Sequence, residues 1–274
     1  MDLNTIGAVV RPRARGDFPA WRAGDAFLAG GTWLYSEPQP RLSRLIDLGD
    51  LGWEPLRITA SGLEIAATCK IAQLDAATLP VDWMAAPLIN QCTRAFLASF
   101  KIWNMATVGG NLCMSLPAGP MISLAAALDG VATVWKADGG EQKISVLDFV
   151  KGPQQNALSP GDLLRRIDLP ASALVKRTAF RQISLERLGR SAALLVGTLA
   201  ADGAFTVTVT AATPRPLQFS FARLPASEEL REAIERELPL GAYYDDVHGK
   251  PAWRRHMTLH LAQDIRRELA GERA

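Results

Sequence analysis

Two short stretches of the chain, Ala29-Gly30-Gly31-Thr32-Trp33 and Thr107-Val108-Gly109-Gly110-Asn111, set paired glycines beside a threonine. Adjacent glycines remove both side chains at one point, free the backbone to take positive φ, and let its N–H groups approach a ligand. The natural guest of such a row of donors is an anion. Two rows, each leaving a β-like segment, could serve the two halves of one pyrophosphate; either row alone is a weak signal.

No other constellation competes with these glycines. The chain carries no Ser/His/Asp or paired-carboxylate pattern for hydrolysis. Cys69, Cys92 and Cys113 are far apart, without the close Cys-x-x-Cys pairs that hold zinc or iron–sulfur clusters, and are expected to be free, buried thiols. His248, His256 and His260 all lie near the C-terminus. His256 and His260 have i,i+4 spacing on a predicted helix, but no nearby Glu completes a His-Glu-x-x-His pattern, so an ordinary solvated helix face is expected.

The elements that must position the two stretches follow from 274 residues, 48% hydrophobic and 21% charged, enough for a substantial core. No apolar run reaches the ~18 residues of a membrane span, and 30 basic against 28 acidic residues give no concentrated basic surface for nucleic acid. No secretory signal stands at Met1-Asp2-Leu3-Asn4, so a cytoplasmic location is expected. Arg11, Arg13, Arg15 and Arg22 lie among Pro12, Gly16 and Pro19, which predicts an irregular exposed segment over 7–24, either solvated or in contact with an anion or partner.

Apolar spacing predicts strands over 26–29 and 42–48, a hairpin over 56–67 turning at Ser61-Gly62, and a helix near Ile71 with Thr68 as N-cap. It further predicts a helix over 87–99, a loop over 115–120, a small-residue helix over 121–128, a hairpin around Asp138-Gly139-Gly140, and a strand over 162–169. A boundary is expected at 170–176, followed by a helix over 191–199, a strand over 205–210, and helices over 227–237 and 253–268. The fold class is α+β, the second half having a few antiparallel strands covered by helices.

Together with Asp168-Leu169-Pro170, the two glycine stretches resemble the FAD-binding medium subunit of the molybdenum hydroxylases, the xanthine dehydrogenase and carbon monoxide dehydrogenase family. The segments Ile65 to Leu74, Ile102 to Thr107, and Tyr244 to Arg255 with its Pro251-Ala252-Trp253-Arg254-Arg255 ending extend the likeness over nearly the whole chain. The resemblance implies a two-lobed, PCMH-like FAD-binding domain over 1–172, with subdomains of about 1–52 and 53–172. A smaller C-terminal domain over 177–274 would close over the flavin.

It also implies noncovalent FAD, with backbone contacts to the pyrophosphate from Ala29, Gly30, Gly31, Thr32 and Trp33 and from Thr107, Val108, Gly109, Gly110 and Asn111. Thr32 and Thr107 would add hydroxyl donors. Leu97 and Ile102 would line the flavin side of the pocket, Leu158 would touch the ring, and Arg181 would stand where the family often has a lysine. The sequence departs from the pattern at Pro120, where an aspartate usually holds the ribose, so that Pro120→Asp is expected to tighten binding. Trp33 replaces an acidic residue, Trp103 an arginine and Lys101 a glutamine.

The implied function is electron transfer. A molybdopterin-binding large subunit would hydroxylate a substrate, 2Fe–2S clusters of a small subunit would carry electrons to FAD here, and a small-molecule acceptor would take them away. A stand-alone FAD oxidase of the same broad fold is an alternative, disfavoured because no His precedes residue 248 for covalent attachment near the first stretch. A structural subunit with weakened FAD binding is another, suggested by Pro120.

Overall fold

The computed structural model describes residues 3–272. Three short strands, β1 (Ala8–Val10), β2 (Asp25–Leu28) and β3 (Arg44–Asp47), form a parallel sheet in the order β1-β3-β2. β1 falls within the segment expected to be irregular, and its three residues are too few to carry a period. The parallel pairing of β2 with β3 requires a crossover, and residues 29–43 supply it, beginning with the first glycine stretch at the carboxyl end of β2.

The central sheet is antiparallel, in the order β4 (Leu56–Thr59), β5 (Gly62–Ala66), β10 (Leu163–Pro170), β6 (Val131–Trp135), β7 (Glu141–Ser145). Both predicted hairpins are present in it. The helices α1 (Ile71–Asp75), α2 (Ala86–Ala95), α3 (Phe100–Trp103), α4 (Val108–Met114) and α5 (Pro120–Ala127) run between β5 and β6. After β7 come α6 (Val146–Phe149), the small pair β8 (Val150–Gly152) and β9 (Gln155–Asn156), and, beyond β10, α7 (Ala171–Leu174).

Thr68 does not cap α1. Ala67 and Cys69 are already committed, their carbonyls accepting from Gly109 and Val108, so the helix starts at Ile71 with Lys70 as N-cap. The Lys70 N–H donates to Gln73 Oε1 at 2.9 Å. α2 ends at Ala95, short of the expected Ser99, because the chain closes a tight turn from Phe96 N–H to the Thr93 carbonyl and leads away into α3.

The C-terminal sheet is the antiparallel meander β11 (Arg177–Ile183), β12 (Ala193–Leu199), β13 (Phe205–Thr210), β14 (Leu217–Phe221), covered by α8 (Ser227–Glu237) and α9 (Pro251–Ala270). The helix expected over 191–199 is the strand β12 instead. Its side chains divide with a period of two: Leu194 and Val196 join the core shared with α5, whereas Ala193 and Leu195 join the core under α9. A strand covered on both faces reads as an unbroken apolar run, and period alone does not separate that from a buried helix. Gly197 lets α9 close in, since a Cβ there would lie 2.2 Å from Ile265 Cγ2.

α5 is the pin between the two halves. All eight of its residues are buried, and it packs against α2 and α4 on one side and β12 and β13 on the other. The Ser123 and Thr210 hydroxyls meet at 2.7 Å in that contact, and Gln218 Nε2 donates to the Ala126 carbonyl.

Candidate flavin cleft

The first glycine stretch ends β2 and turns sharply. Gly31 has φ +70°, the left-handed region that favours glycine. Its carbonyl accepts from Tyr35 N–H at 2.8 Å, and the Trp33 carbonyl accepts from Ser36. The N–H groups of Gly30, Gly31, Thr32 and Trp33, by contrast, find no acceptor among the described residues. Four consecutive unpaired amides at a strand end form a concave set of donors suited to an anion.

The second stretch is built differently from the expectation. It follows the short helix α3 rather than a strand, and it opens α4: Thr107 is the N-cap, and its Oγ1 accepts from Gly110 N–H at 2.9 Å. Neither Gly109 nor Gly110 has positive φ. Gly109 is needed for close packing, a Cβ there falling 2.5 Å from Ala67 Cβ. The amides of Val108, Gly109, Gly110 and Asn111 are paired within the chain, to Cys69, Ala67, Thr107 Oγ1 and the Thr107 carbonyl. What this stretch leaves for a ligand is the Thr107 hydroxyl proton and the side-chain NH₂ of Asn111, whose Oδ1 accepts from Met121 N–H.

The two stretches touch. Gly30 lies so close to the chain before Thr107 that a Cβ on it would sit 3.2 Å from Ala106 Cα. Around this contact opens a cleft of about 580 Å³, within the usual range for ligand sites. Ala29 to Trp33 form one wall, and Thr107, Gly110, Asn111 and Met114 form the other. Leu97 and Ile102 close it with Phe96, and Leu97 is 44% exposed at the mouth.

Among the expected site residues, Ala29, Gly30, Gly31, Thr32, Trp33, Leu97, Ile102, Thr107, Gly110 and Asn111 therefore come together. Val108 and Gly109 lie behind the wall, in the core and against Ala67. Leu158 is half-buried against the central core and does not line the cleft. Arg181 is on β11, paired with Glu268 of α9 at 2.6 Å, also outside the lining. Pro120 is buried at the first turn of α5, not at the cleft surface, and Trp103 is held by its indole N–H on the Phe96 carbonyl at 3.0 Å. Phe27, Phe96, Cys113, Met114 and Leu116 are among the lining residues that had not been expected there. Met114 had a signal: Thr107, Gly110, Asn111 and Met114 share one helical face once Thr107 is taken as a cap.

Residues 20–172 match the family described as the FAD binding domain in molybdopterin dehydrogenase. The chain belongs to this family. The caffeine dehydrogenase subunit beta of Pseudomonas sp. strain CBB1 is 28% identical over 167 residues, 58% of this chain and 54% of that one. The carbon monoxide dehydrogenase medium chain of Afipia carboxidovorans is 30% identical over 148 residues, 52% of this chain and 50% of that one. The alignments thus span about half the length of these curated relatives. The nicotinate dehydrogenase FAD-subunit of Eubacterium barkeri aligns more fully, 26% identical over 83% of this chain and 81% of its own.

The fold agrees with solved structures. Carbon monoxide dehydrogenase from Oligotropha carboxidovorans superposes with a TM-score of 0.78 at 21% identity, covering 95% of this chain and 96% of that one. Quinoline 2-oxidoreductase from Pseudomonas putida 86 gives 0.76 at 20% identity, covering 95% of each.

In this FAD-binding family chain no Asp, Glu, Lys or Arg among the described residues lines the cleft. Burial pushes the Cys113 thiol up to about 12, so it stands there as a neutral thiol rather than a nucleophile or a metal ligand. Burial likewise pushes Cys69 to about 12, and all three cysteines are free. The residues present fit a flavin dinucleotide: unpaired amides and a left-handed glycine for a pyrophosphate, and apolar walls for the rings. Among the described residues no cluster of His, Cys, Asp or Glu is placed to hold a metal ion, and no helix is long and apolar enough to cross a membrane.

Proposed function

We propose that this chain binds FAD noncovalently in the cleft and serves as the electron-transfer subunit of a heteromeric molybdenum hydroxylase. The observation that carries the proposal is the row of unpaired amides from Gly30 to Trp33, set against the Thr107 cap at the floor of an apolar cleft. FAD, when bound, supplies the redox chemistry that the protein side chains lack.

The chain's own part is to bind and orient. The amides of Gly30, Gly31, Thr32 and Trp33 hold the pyrophosphate charge, helped by the hydroxyls of Thr32 and Thr107 and the Asn111 NH₂. Phe96, Leu97 and Ile102 exclude water from the ring side. Electrons reach the flavin from the 2Fe–2S clusters of a small partner subunit, a large molybdopterin-binding partner performs the hydroxylation, and a small-molecule acceptor takes the electrons onward. The assembly works in the cytoplasm. The FAD-binding domain spans 1–172, with subdomains of about 1–52 and 53–172 that carry the parallel and central sheets; residues 177–274 form the C-terminal domain.

A second reading, a structural subunit with weakened FAD binding, draws on Pro120 and on the lack, among the described residues, of any carboxylate in the cleft to hold ribose hydroxyls. One experiment separates the two. Purified protein, reconstituted with FAD and desalted, is expected to keep a flavin absorbance spectrum and to release the colour to the supernatant on acid precipitation. Protein that stays colourless in excess FAD establishes the structural reading. Protein whose colour stays in the acid pellet contradicts noncovalent binding.

A further inference from the structure

A second cavity, of about 500 Å³, opens where the segment before β2 meets the β6–β7 hairpin, and of its lining it shares only Phe27 with the flavin cleft. Its walls are aromatic. Phe18 stands edge-on to Phe27 at 6.1 Å and to Trp135 at 6.4 Å, and Trp21 leans on Phe27 at 5.0 Å. Gly161 lets Trp21 close one side, a Cβ there lying 3.0 Å from Trp21 Cβ.

The rim carries two cations of different status. Lys136 is neutralised by Asp162, to which its ammonium donates. Arg15 has no carboxylate partner among the described residues: its Nη2 donates to the Gly139 and Gly140 carbonyls, and its guanidinium lies 4.8 Å from the Trp135 ring centre. That fixes the group in place while Nε and Nη1 keep their protons unpaired. The indole N–H groups of Trp21 and Trp135 also have no acceptor among the described residues, unlike that of Trp103. Apart from Phe27, none of this is used by the flavin cleft, and the arginine belongs to the basic segment over 7–24 that the flavin reading leaves without a role.

We propose that this cavity binds a planar aromatic monoanion of the aromatic carboxylate class. A flat ring fits between aromatic walls, where edge and face contacts add to burial. One carboxylate matches one fixed, unneutralised guanidinium, and indole N–H donors suit its oxygens. A purely apolar ring would leave the arginine unused. The proposal does not rest on the flavin function.

The test uses the full chain saturated with FAD and 2-naphthoate as the probe. Calorimetry is expected to show one saturable site for 2-naphthoate, with neutral 2-naphthamide and the non-aromatic cyclohexanecarboxylate each binding at least about tenfold more weakly. Arg15→Gln and Trp21→Ala are each expected to weaken 2-naphthoate roughly tenfold while leaving FAD content unchanged. If either variant fails to fold, the comparison of the three probes on the native chain decides. Equal binding of acid and amide, binding that disappears as FAD fills the cleft, or no saturable binding overturns the proposal.

Discussion

Gly30 rests directly on the carbonyl of Met105: a Cβ built on it would lie 2.0 Å from that oxygen. Met105 O in turn accepts from Lys70 Nζ at 3.2 Å, which fixes the carbonyl from the far side. The contact locks the end of β2 against the entry to α4, and the two glycine stretches line one cleft because of it.

Gly30→Ala should therefore damage both fold and site. The obstructing atom is backbone, braced by Ile71 N–H on the Ala106 carbonyl and Ala106 N–H on Ile102, so it has nowhere to move. The expected cost is about 3 kcal/mol, at the upper end for overpacking, with FAD content falling in parallel. Gly110→Ala meets only Thr107 Oγ1, at 2.8 Å, and is expected to disturb the cap and the cofactor more than the fold. Thermal melts and flavin absorbance of the two variants check this; equal melting temperatures would remove the argument.

The cap itself gives a separate expectation. Thr107→Val keeps the shape but loses the acceptor for Gly110 N–H and the hydroxyl facing the cleft, at a cost of about 1 kcal/mol in stability. FAD should bind roughly tenfold more weakly, the worth of one hydrogen bond to a charged group. Thr107→Ser should restore both. Fluorescence titration of the three proteins measures it, and a serine variant as weak as the valine one speaks against the hydroxyl's part.

The residues that line the candidate cleft were legible because glycine pairs and a threonine have few other uses at a turn. Less legible was how each stretch works. At Gly31 the pair supplies a left-handed turn, but at Gly109 it supplies close packing onto Ala67, and no local pattern distinguishes the two before the partner strand is known. The same limit hid β12. Ala192 to Val196 look alike on every side because α5 and α9 cover both faces, a fact of tertiary structure. Phe205–Thr210, where Phe205, Val207 and Val209 alternate with threonines, and Ser227–Glu237, where Leu230, Ala233 and Ile234 mark one buried helical face, were read to the residue.

Arg254 holds the C-terminal unit together from within. It is 1% exposed, and its guanidinium donates to the carbonyls of Gly249, Ala192 and Ala211 and to Asp246 Oδ1. Arg254→Leu would leave those buried carbonyls without donors, and an expected loss of roughly 3 kcal/mol or more follows. Arg254→Lys should recover only part, since one ammonium cannot span acceptors on three segments. Urea midpoints of both variants test it; a lysine variant as stable as the native chain would show that charge, not the fork, is what matters.

The pair Asp25–Arg44 sets an acid limit on the first lobe. Arg44 donates from Nε to Asp25 Oδ1 at 2.7 Å and from Nη2 to Oδ2, and this bidentate grip, aided by Arg22 N–H, outweighs burial and holds the Asp25 carboxyl below its usual range. A carboxylate whose folded pKa is lowered contributes stability that is complete above its unfolded value, about 3.9, and lost as pH falls through the folded value. Asp25→Asn removes the charged grip at every pH. The stability gap between the native chain and Asp25→Asn should accordingly be widest and constant from about pH 5 to 7 and should shrink below about pH 4, as the unfolded carboxyl takes up a proton that the folded one still refuses. Asp75 and Asp162 are also lowered and weaken both proteins alike in acid, so they cancel in the difference. Denaturation curves of the two proteins from pH 3 to 7 measure that difference, and a gap that stays constant down to pH 3 would mean that Asp25 holds no more than an ordinary surface charge.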